Sequence, residues 1–99
     1  MLTVYETKGK VIEYPGMASW HFISVPKKES ASITATFGDM KGGFGSLRVI
    51  ATVGKTKWKT SIFPDSKTAI YLLPLKKEVR IKERILVGDT VEFSVEILV

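Results

Sequence analysis

The feature that most constrains this chain is an echo between its two halves. Residues 22–30, FISVPKKES, align with residues 71–79, YLLPLKKEV, forty-nine positions later. Each copy runs from an apolar stretch through a proline into Lys-Lys-Glu. A glycine then opens another strand-like stretch: Gly45 before residues 46–53, and Gly88 before residues 89–97. A half-length repeat predicts two copies of one strand–turn–helix–strand unit around a shared core.

The size of the chain fits one domain spanning residues 1–99, because 99 residues with 44% hydrophobic content suffice for one ordinary core. The absence of cysteine excludes disulfides and thiolate metal sites, and it fits a reducing compartment. The first residues lack a basic region followed by an apolar run, and no apolar run is long enough to cross a membrane. We therefore expect a soluble cytoplasmic protein with no membrane partner.

The middle of the chain contains the clearest hairpin. A two-residue turn at Gly54-Lys55 aligns residues 47–53 with residues 56–62 and produces one largely apolar face that includes Trp58. Because strand side chains alternate, Arg48, Lys57 and Lys59 share the other face. A slip of one residue would bury those lysines, so the register is strongly specified.

Other stretches complete a mainly-β pattern. Residues 2–13, 19–25, 70–73 and 89–97 are strand-like, and residues 14–16 and 38–45 are interpreted as a turn and a glycine-rich loop. A short helix is predicted from Leu75 to about Arg84, with an ion pair between Glu78 and Lys82. A poorer helix is predicted over residues 27–34, where Ser30 and its neighbours have low helix propensity. We predict a small closed or nearly closed six-stranded β-barrel with one or two short helices.

No residue pattern argues for an enzyme, a metal or a cofactor. His21 is the single histidine, and it is interpreted as a surface or satisfied side chain on the strand face opposite Trp20 and Phe22. Ser61 lacks the glycines of a nucleophile elbow, and no two carboxylates have a spacing that suggests acid–base work. Glu78 and Glu83 are expected to be ion-paired with nearby bases. Asp89 follows a glycine at a predicted turn, where aspartate commonly accepts hydrogen bonds from the backbone.

The two tryptophans have two interpretations. Trp20 and Trp58 lie on strand faces that look buried, so core packing is expected first. At a barrel end, either one would instead line a small-molecule pocket or stack on a base.

The net charge of +5 is unevenly distributed. One basic group lies on the predicted hairpin, and a second lies on or near the predicted second helix; together they comprise Arg48, Lys57, Lys59, Lys76, Lys77 and Arg80. Such residues would contact phosphates in a salt-sensitive and sequence-indifferent way. They would equally serve as an ordinary soluble surface. Whether the two groups form one patch is open at this point.

The chain resembles the family called domain of unknown function 1905. The resemblance rests on WKTSIFP at residues 58–64, YLLPLKKEVR at 71–80 and VGDTV at 87–91, with Trp20-His21-Phe22 leading to Val25-Pro26 in the first half. It implies a double-split β-barrel, an architecture shared with AbrB/MazE-type transcription factors, which build the barrel from two chains. The family is prokaryotic in character, occurs alone or fused to other bacterial domains, and has no established activity to transfer.

The leading functional hypothesis is a non-enzymatic module that binds nucleic acid or another polyanion. The lysines and Arg80 would supply charge, and Arg48 would orient a phosphate. One alternative is a small-molecule or catalytic pocket at a barrel end near Trp20 or Trp58. Another is a protein-interaction or scaffold domain. Ligand identity and oligomeric state stay open.

Overall fold

The computed structural model is a closed barrel of six antiparallel strands and describes residues 3–14, 20–40 and 45–98. The strands are β1 (Val4–Tyr14), β2 (Trp20–Ser24), β3 (Leu47–Val53), β4 (Thr56–Pro64), β5 (Tyr71–Pro74) and β6 (Thr90–Ile97). Helix α1 (Lys27–Phe37) follows β2, and helix α2 (Lys77–Glu83) follows β5. The predicted mainly-β barrel with two short helices is confirmed. Residues 15–16 of the predicted turn and half of the predicted loop, residues 41–44, lie outside the described residues.

The strand order around the barrel is β1-β2-β5-β4-β3-β6. Exchanging β1 with β4, β2 with β5, and β3 with β6 reproduces the same set of neighbours. The first half of the chain contributes β1, β2 and β3, and the second half contributes β4, β5 and β6. Strand β2 pairs with β5 and strand β3 pairs with β6, so each of these two pairings joins one strand from each half. This exchange symmetry is what the half-length repeat predicts, with both halves sharing one core.

In the structure, equivalent positions of the two halves are fifty residues apart, which is one more than the forty-nine residues of the sequence alignment. The Val25 N–H donates to the Tyr71 carbonyl at 2.9 Å, and the Leu75 N–H donates to the His21 carbonyl at 2.8 Å. The two bonds are equivalent in the two halves of the chain, because Leu75 lies fifty residues after Val25 and Tyr71 lies fifty residues after His21. The forty-nine-residue alignment followed the Lys-Lys-Glu match, and one residue is enough to exchange the two faces of a strand.

The hairpin of β3 and β4 has the predicted register throughout, from Leu47 opposite Ile62 to Val53 opposite Thr56. Gly54 opens its turn with a φ of 56°, a conformation that glycine adopts without strain. In β6, the alternating residues Phe93, Val95 and Ile97 are buried in the core, and Val91 packs half-buried against it. The barrel interior is filled mainly by aliphatic side chains, among them Val11, Ile23, Val49, Ile62, Leu73 and Val95.

Strand β1 changes partner near its middle, pairing with β6 up to Lys10 and with β2 from Val11 onward. Gly9 lies at this transition and is buried. A Cβ atom at this position would collide with the backbone carbonyl of Ser24 in β2. The glycine therefore allows the two chain segments to approach closely where the strand passes from one pairing to the other.

The two helices differ from their predictions. Helix α1 is the longer one and extends to Phe37, continued by a 3-10 turn at Gly38–Met40 where a loop was expected. Its buried residues are Ser30, Ile33 and Phe37, so packing outweighs low propensity. Helix α2 is shorter than predicted, because it begins at Lys77; its last residue is Glu83, and Arg84 is the C-cap.

The expected ion pairs on α2 do not form. Among the described residues, neither Glu78 nor Glu83 has a basic partner within 4.0 Å. Instead, Glu83 accepts a hydrogen bond from the Thr56 hydroxyl at 2.7 Å and so joins α2 to the β3–β4 hairpin. The predicted role of Asp89 is confirmed, because its Oδ2 accepts from the Leu86 N–H at 2.9 Å.

Candidate functional site

A cleft of about 300 Å³ lies between the start of β2 and helix α2. We call it the Trp20 cleft; its lining residues are Trp20, His21, Pro74, Leu75, Lys76, Lys77 and Arg80. It thus brings one tryptophan together with three of the six cations that the sequence singled out. A larger groove of about 660 Å³ runs over β1, β3 and β6, but its lining mixes acids with a single lysine and includes no tryptophan.

Trp20 lies on the outer face of β2 and is 50% exposed. The inner face of β2 carries His21 and Ile23, since Ile23 pairs with core residue Val11. Trp20 instead packs beside Phe22, with ring centroids 6.0 Å apart, and Phe22 packs against Tyr14 at 5.2 Å. The predicted core position of Trp20 is therefore wrong. Trp20 and His21 do lie on opposite faces of β2, as predicted, but His21 and not Trp20 is on the face that points to the core.

The cations of the cleft come from the first part of α2 and the residue before it. Lys76 is the N-cap residue and Lys77 opens the helix, and both side chains are exposed. Arg80 lies about one turn further along and is half-buried. Its position is set by Val79, which is buried in the core and turns the neighbouring side of α2 toward the cleft.

Arg80 is held against the barrel end by His21. Its Nη1 lies 3.4 Å from His21 Nε2, and because a guanidinium can only donate, Nε2 is the acceptor of any hydrogen bond across this contact. Glu13 Oε2 lies 4.0 Å from the same nitrogen. The expectation that His21 is a satisfied histidine is confirmed.

The positive charge of Arg80 is incompletely compensated. Its Nε is buried and lacks a hydrogen-bond acceptor among the described residues. No carboxylate of the described chain comes within 4.0 Å of it. A partly buried guanidinium without an anion is unfavourable, and an anion bound in the cleft would compensate its charge. Lys76 and Lys77 likewise have no carboxylate within 4.0 Å among the described residues.

The remaining candidate residues lie elsewhere. Arg48, Lys57 and Lys59 are exposed on the outer face of the β3–β4 hairpin, as predicted, and none of them lines the Trp20 cleft. Trp58 faces inward and packs, half-buried, against the core, which confirms its core interpretation and separates it from the cleft. The six basic residues therefore fall into two groups, on elements that pack against each other through α2 and β4.

The participation of His21 and Glu13 was not foreseen. Their register partnership across β1 and β2 depends on a long-range pairing that local patterns do not reveal. One signal was available: Ile23 and Val25 are both aliphatic at a spacing of two, and extending that face backward reaches His21. Within the described ranges, no group of three or more histidine, aspartate or glutamate side chains could hold a metal. In the same ranges, no helix has the length and apolar character of a membrane span.

The fold and the cleft define a small, closed, internally repeated β-barrel with a basic, aromatic cleft at one end. The model of the family described as Domain of unknown function (DUF1905) matches residues 8–95, and the chain belongs to that family. The resemblance inferred from the sequence is thereby confirmed. A search of curated proteins finds no match.

Proposed function

We propose that this barrel is a non-enzymatic binding module for nucleic acid or another polyanion and that the Trp20 cleft contacts the ligand. The observation that carries the proposal is the juxtaposition of a half-exposed tryptophan with three cations that have no carboxylate within 4.0 Å in the part of the chain that the structure describes. The half-buried guanidinium of Arg80, whose Nε has no acceptor among the described residues, adds a positive charge that a bound anion would compensate.

This combination suits a single strand better than a duplex. Unpaired bases stack on exposed aromatic rings, and lysine and arginine track the phosphates beside them. Stacking does not discriminate strongly between bases, so the expected binding is salt-dependent and largely indifferent to sequence. Lys57 and Lys59 would extend the contact along the outer face of β4.

Fluorescence anisotropy with labelled single- and double-stranded oligonucleotides, at low and near-physiological salt, tests the proposal. Trp20→Ala removes the stacking surface and is expected to weaken binding by about 1–3 kcal/mol, which is roughly 5- to 150-fold. The Lys76→Glu/Lys77→Glu variant is expected to weaken binding and to flatten the salt dependence, by about 0.7 in slope for each lost phosphate contact.

The matched control is Lys67→Glu, which makes the same type of replacement at one exposed lysine outside the cleft and half the charge change of the double variant. If this control weakens binding as strongly per charge as the cleft variant, only net charge matters and the cleft has no special role. If the wild-type protein fails to bind any oligonucleotide at low salt, nucleic acid is excluded as the ligand.

A second candidate is a small anionic metabolite in the same cleft. The favouring observation is the concave shape of the site, whose volume lies at the lower end of the range for small-molecule pockets. A phosphorylated metabolite with a planar group would then raise the melting temperature in a concentration-dependent way. Stabilisation by a mononucleotide together with absent oligonucleotide binding would favour this candidate.

A further inference from the structure

A second surface on α2 carries exposed aliphatic side chains. Ile81 is 66% exposed on the helix, and Leu86 and Val87, in the turn that follows, are 71% and 51% exposed. A shallow groove of about 390 Å³, here called the α2 groove, is lined by Arg80, Ile81, Arg84, Ile85 and Leu86. Grouped exposed aliphatic side chains commonly mark an interaction site in a small protein.

The charged borders of the α2 groove are positive. Neither Arg80 nor Arg84 has a carboxylate within 4.0 Å among the described residues. Glu83 is turned toward Thr56, as its 2.7 Å hydrogen bond shows, and Asp89 is engaged with a backbone N–H at the far side of Leu86. An apolar floor between two arginines is complementary to a segment that alternates apolar side chains with carboxylates.

The backbone at Arg84 is an independent indication. Arg84 ends α2 in the left-handed conformation, with φ 55° and ψ 48°. The N–H of Ile85 bonds the Arg80 carbonyl at 2.9 Å, and the N–H of Arg84 bonds the Ile81 carbonyl at 3.4 Å, which is the Schellman ending that usually has glycine at this position. An arginine there is less favourable than glycine, because the left-handed conformation crowds its Cβ against the backbone. Strained residues of this kind concentrate at functional positions.

We propose that the α2 groove is a docking surface for a short acidic, amphipathic segment of a partner protein. Apolar side chains of that segment would pack on Ile81 and Leu86, and its carboxylates would meet Arg80 and Arg84. A second copy of this chain fits less well, because a stable dimer buries about 800 Å² on each partner and the groove spans one helical turn and the turn after it. Apart from Arg80, this surface is separate from the Trp20 cleft.

The probe is a labelled synthetic peptide of about four helical turns, with leucine at helical i, i+3, i+4 and i+7 spacing and glutamate elsewhere. The comparison peptide has lysine in place of every glutamate. Anisotropy titrations are expected to show saturable binding of the acidic peptide only. In a ¹⁵N-labelled sample, the amide shifts are expected to concentrate at residues 80–87.

Three variants locate the contact. Ile81→Ser/Leu86→Ser is expected to weaken peptide binding at least about tenfold, as loss of central apolar contacts does, and to leave oligonucleotide binding unchanged. Arg84→Gly is expected to weaken it several-fold without lowering the melting temperature, because glycine relieves the backbone strain. The control is Val4→Ser, which removes an aliphatic side chain, 42% exposed, from β1.

Several results would overturn the proposal. The first is failure of the acidic peptide to bind, and the second is binding of the lysine peptide with the same affinity as the acidic one. The third is binding of the acidic peptide to the Ile81→Ser/Leu86→Ser variant with the same affinity as to the wild type. Sedimentation that shows a dimer of the wild-type chain and a monomer of this variant would assign the groove to a second copy. Loss of oligonucleotide binding in this variant, without peptide binding, would assign the groove to nucleic acid.

Discussion

Ser30 is expected to be one of the most stability-sensitive polar residues of the barrel. It is fully buried on α1, where its hydroxyl donates to the Val25 carbonyl at 3.0 Å and accepts from the Tyr71 N–H at 3.0 Å. The second bond joins the helix of the first half to strand β5 of the second half. Ser30 therefore holds the two repeats together at a point where no water can replace it.

The magnitude for Ser30→Ala follows from these two bonds. Leaving the buried Tyr71 N–H without an acceptor costs about 1–3 kcal/mol, and the lost bond to Val25 adds about 1 kcal/mol. Alanine recovers about 0.5 kcal/mol through its higher helix propensity. The expected net loss is about 1.5–3.5 kcal/mol of unfolding free energy. For a domain of this size, the middle of that range corresponds to a melting temperature lower by roughly 10–20 °C.

The assay is urea denaturation followed by circular dichroism, with Thr34→Ala as the control. Thr34 is exposed on the same helix, so its replacement is expected to change stability by less than about 0.5 kcal/mol or to increase it slightly. The m-value is expected to stay constant in both variants. A Ser30→Ala protein as stable as the wild type would refute the buried bridge.

Three further predictions concern the closure of the barrel, the hairpin lysines and the cleft. Gly9→Ala is expected to cost about 3 kcal/mol or more, because its Cβ would meet the facing β2 carbonyl. The control is Gly38→Ala, which is expected to leave the stability unchanged or to raise it, because Gly38 has a helical φ of −57° and an added Cβ would lie 3.9 Å from the nearest side-chain atom. Equal urea midpoints of the Gly9→Ala and Gly38→Ala proteins would contradict the prediction. Lys57→Glu/Lys59→Glu is expected to weaken oligonucleotide binding while changing the melting temperature little, because both side chains are exposed. Unchanged affinity would remove the β4 face from the interface. Iodide is expected to quench the fluorescence of Trp20→Phe less than that of the wild type, since the other tryptophan packs on the core; equal quenching would place Trp20 in a less accessible position.

The tryptophan and the cations of the candidate site were predictable, but their grouping and the participation of His21 and Glu13 were not. The basic side chains of the hairpin and of α2 stand out in the sequence, and local alternation places Lys57 and Lys59 outward. The order of the strands around the barrel decides that Lys57 and Lys59 lie apart from Lys76, and that Lys76 lies beside Trp20 in the cleft. That order joins β2 to β5 across forty-six residues, from Ser24 to Tyr71 in the chain, and no local pattern encodes such a pairing.

Local chemistry alone determined the β3–β4 hairpin, because a glycine turn and a period of two allow only one register that keeps its lysines in water. It also determined the number of strands and the half-length repeat. The tertiary structure decided the rest. It selected the fifty-residue offset, lengthened α1 beyond its propensity by burying Ile33 and Phe37, and turned Trp20 outward. These outcomes depend on close packing between distant segments, which is a property of the closed barrel and not of any one stretch of the chain.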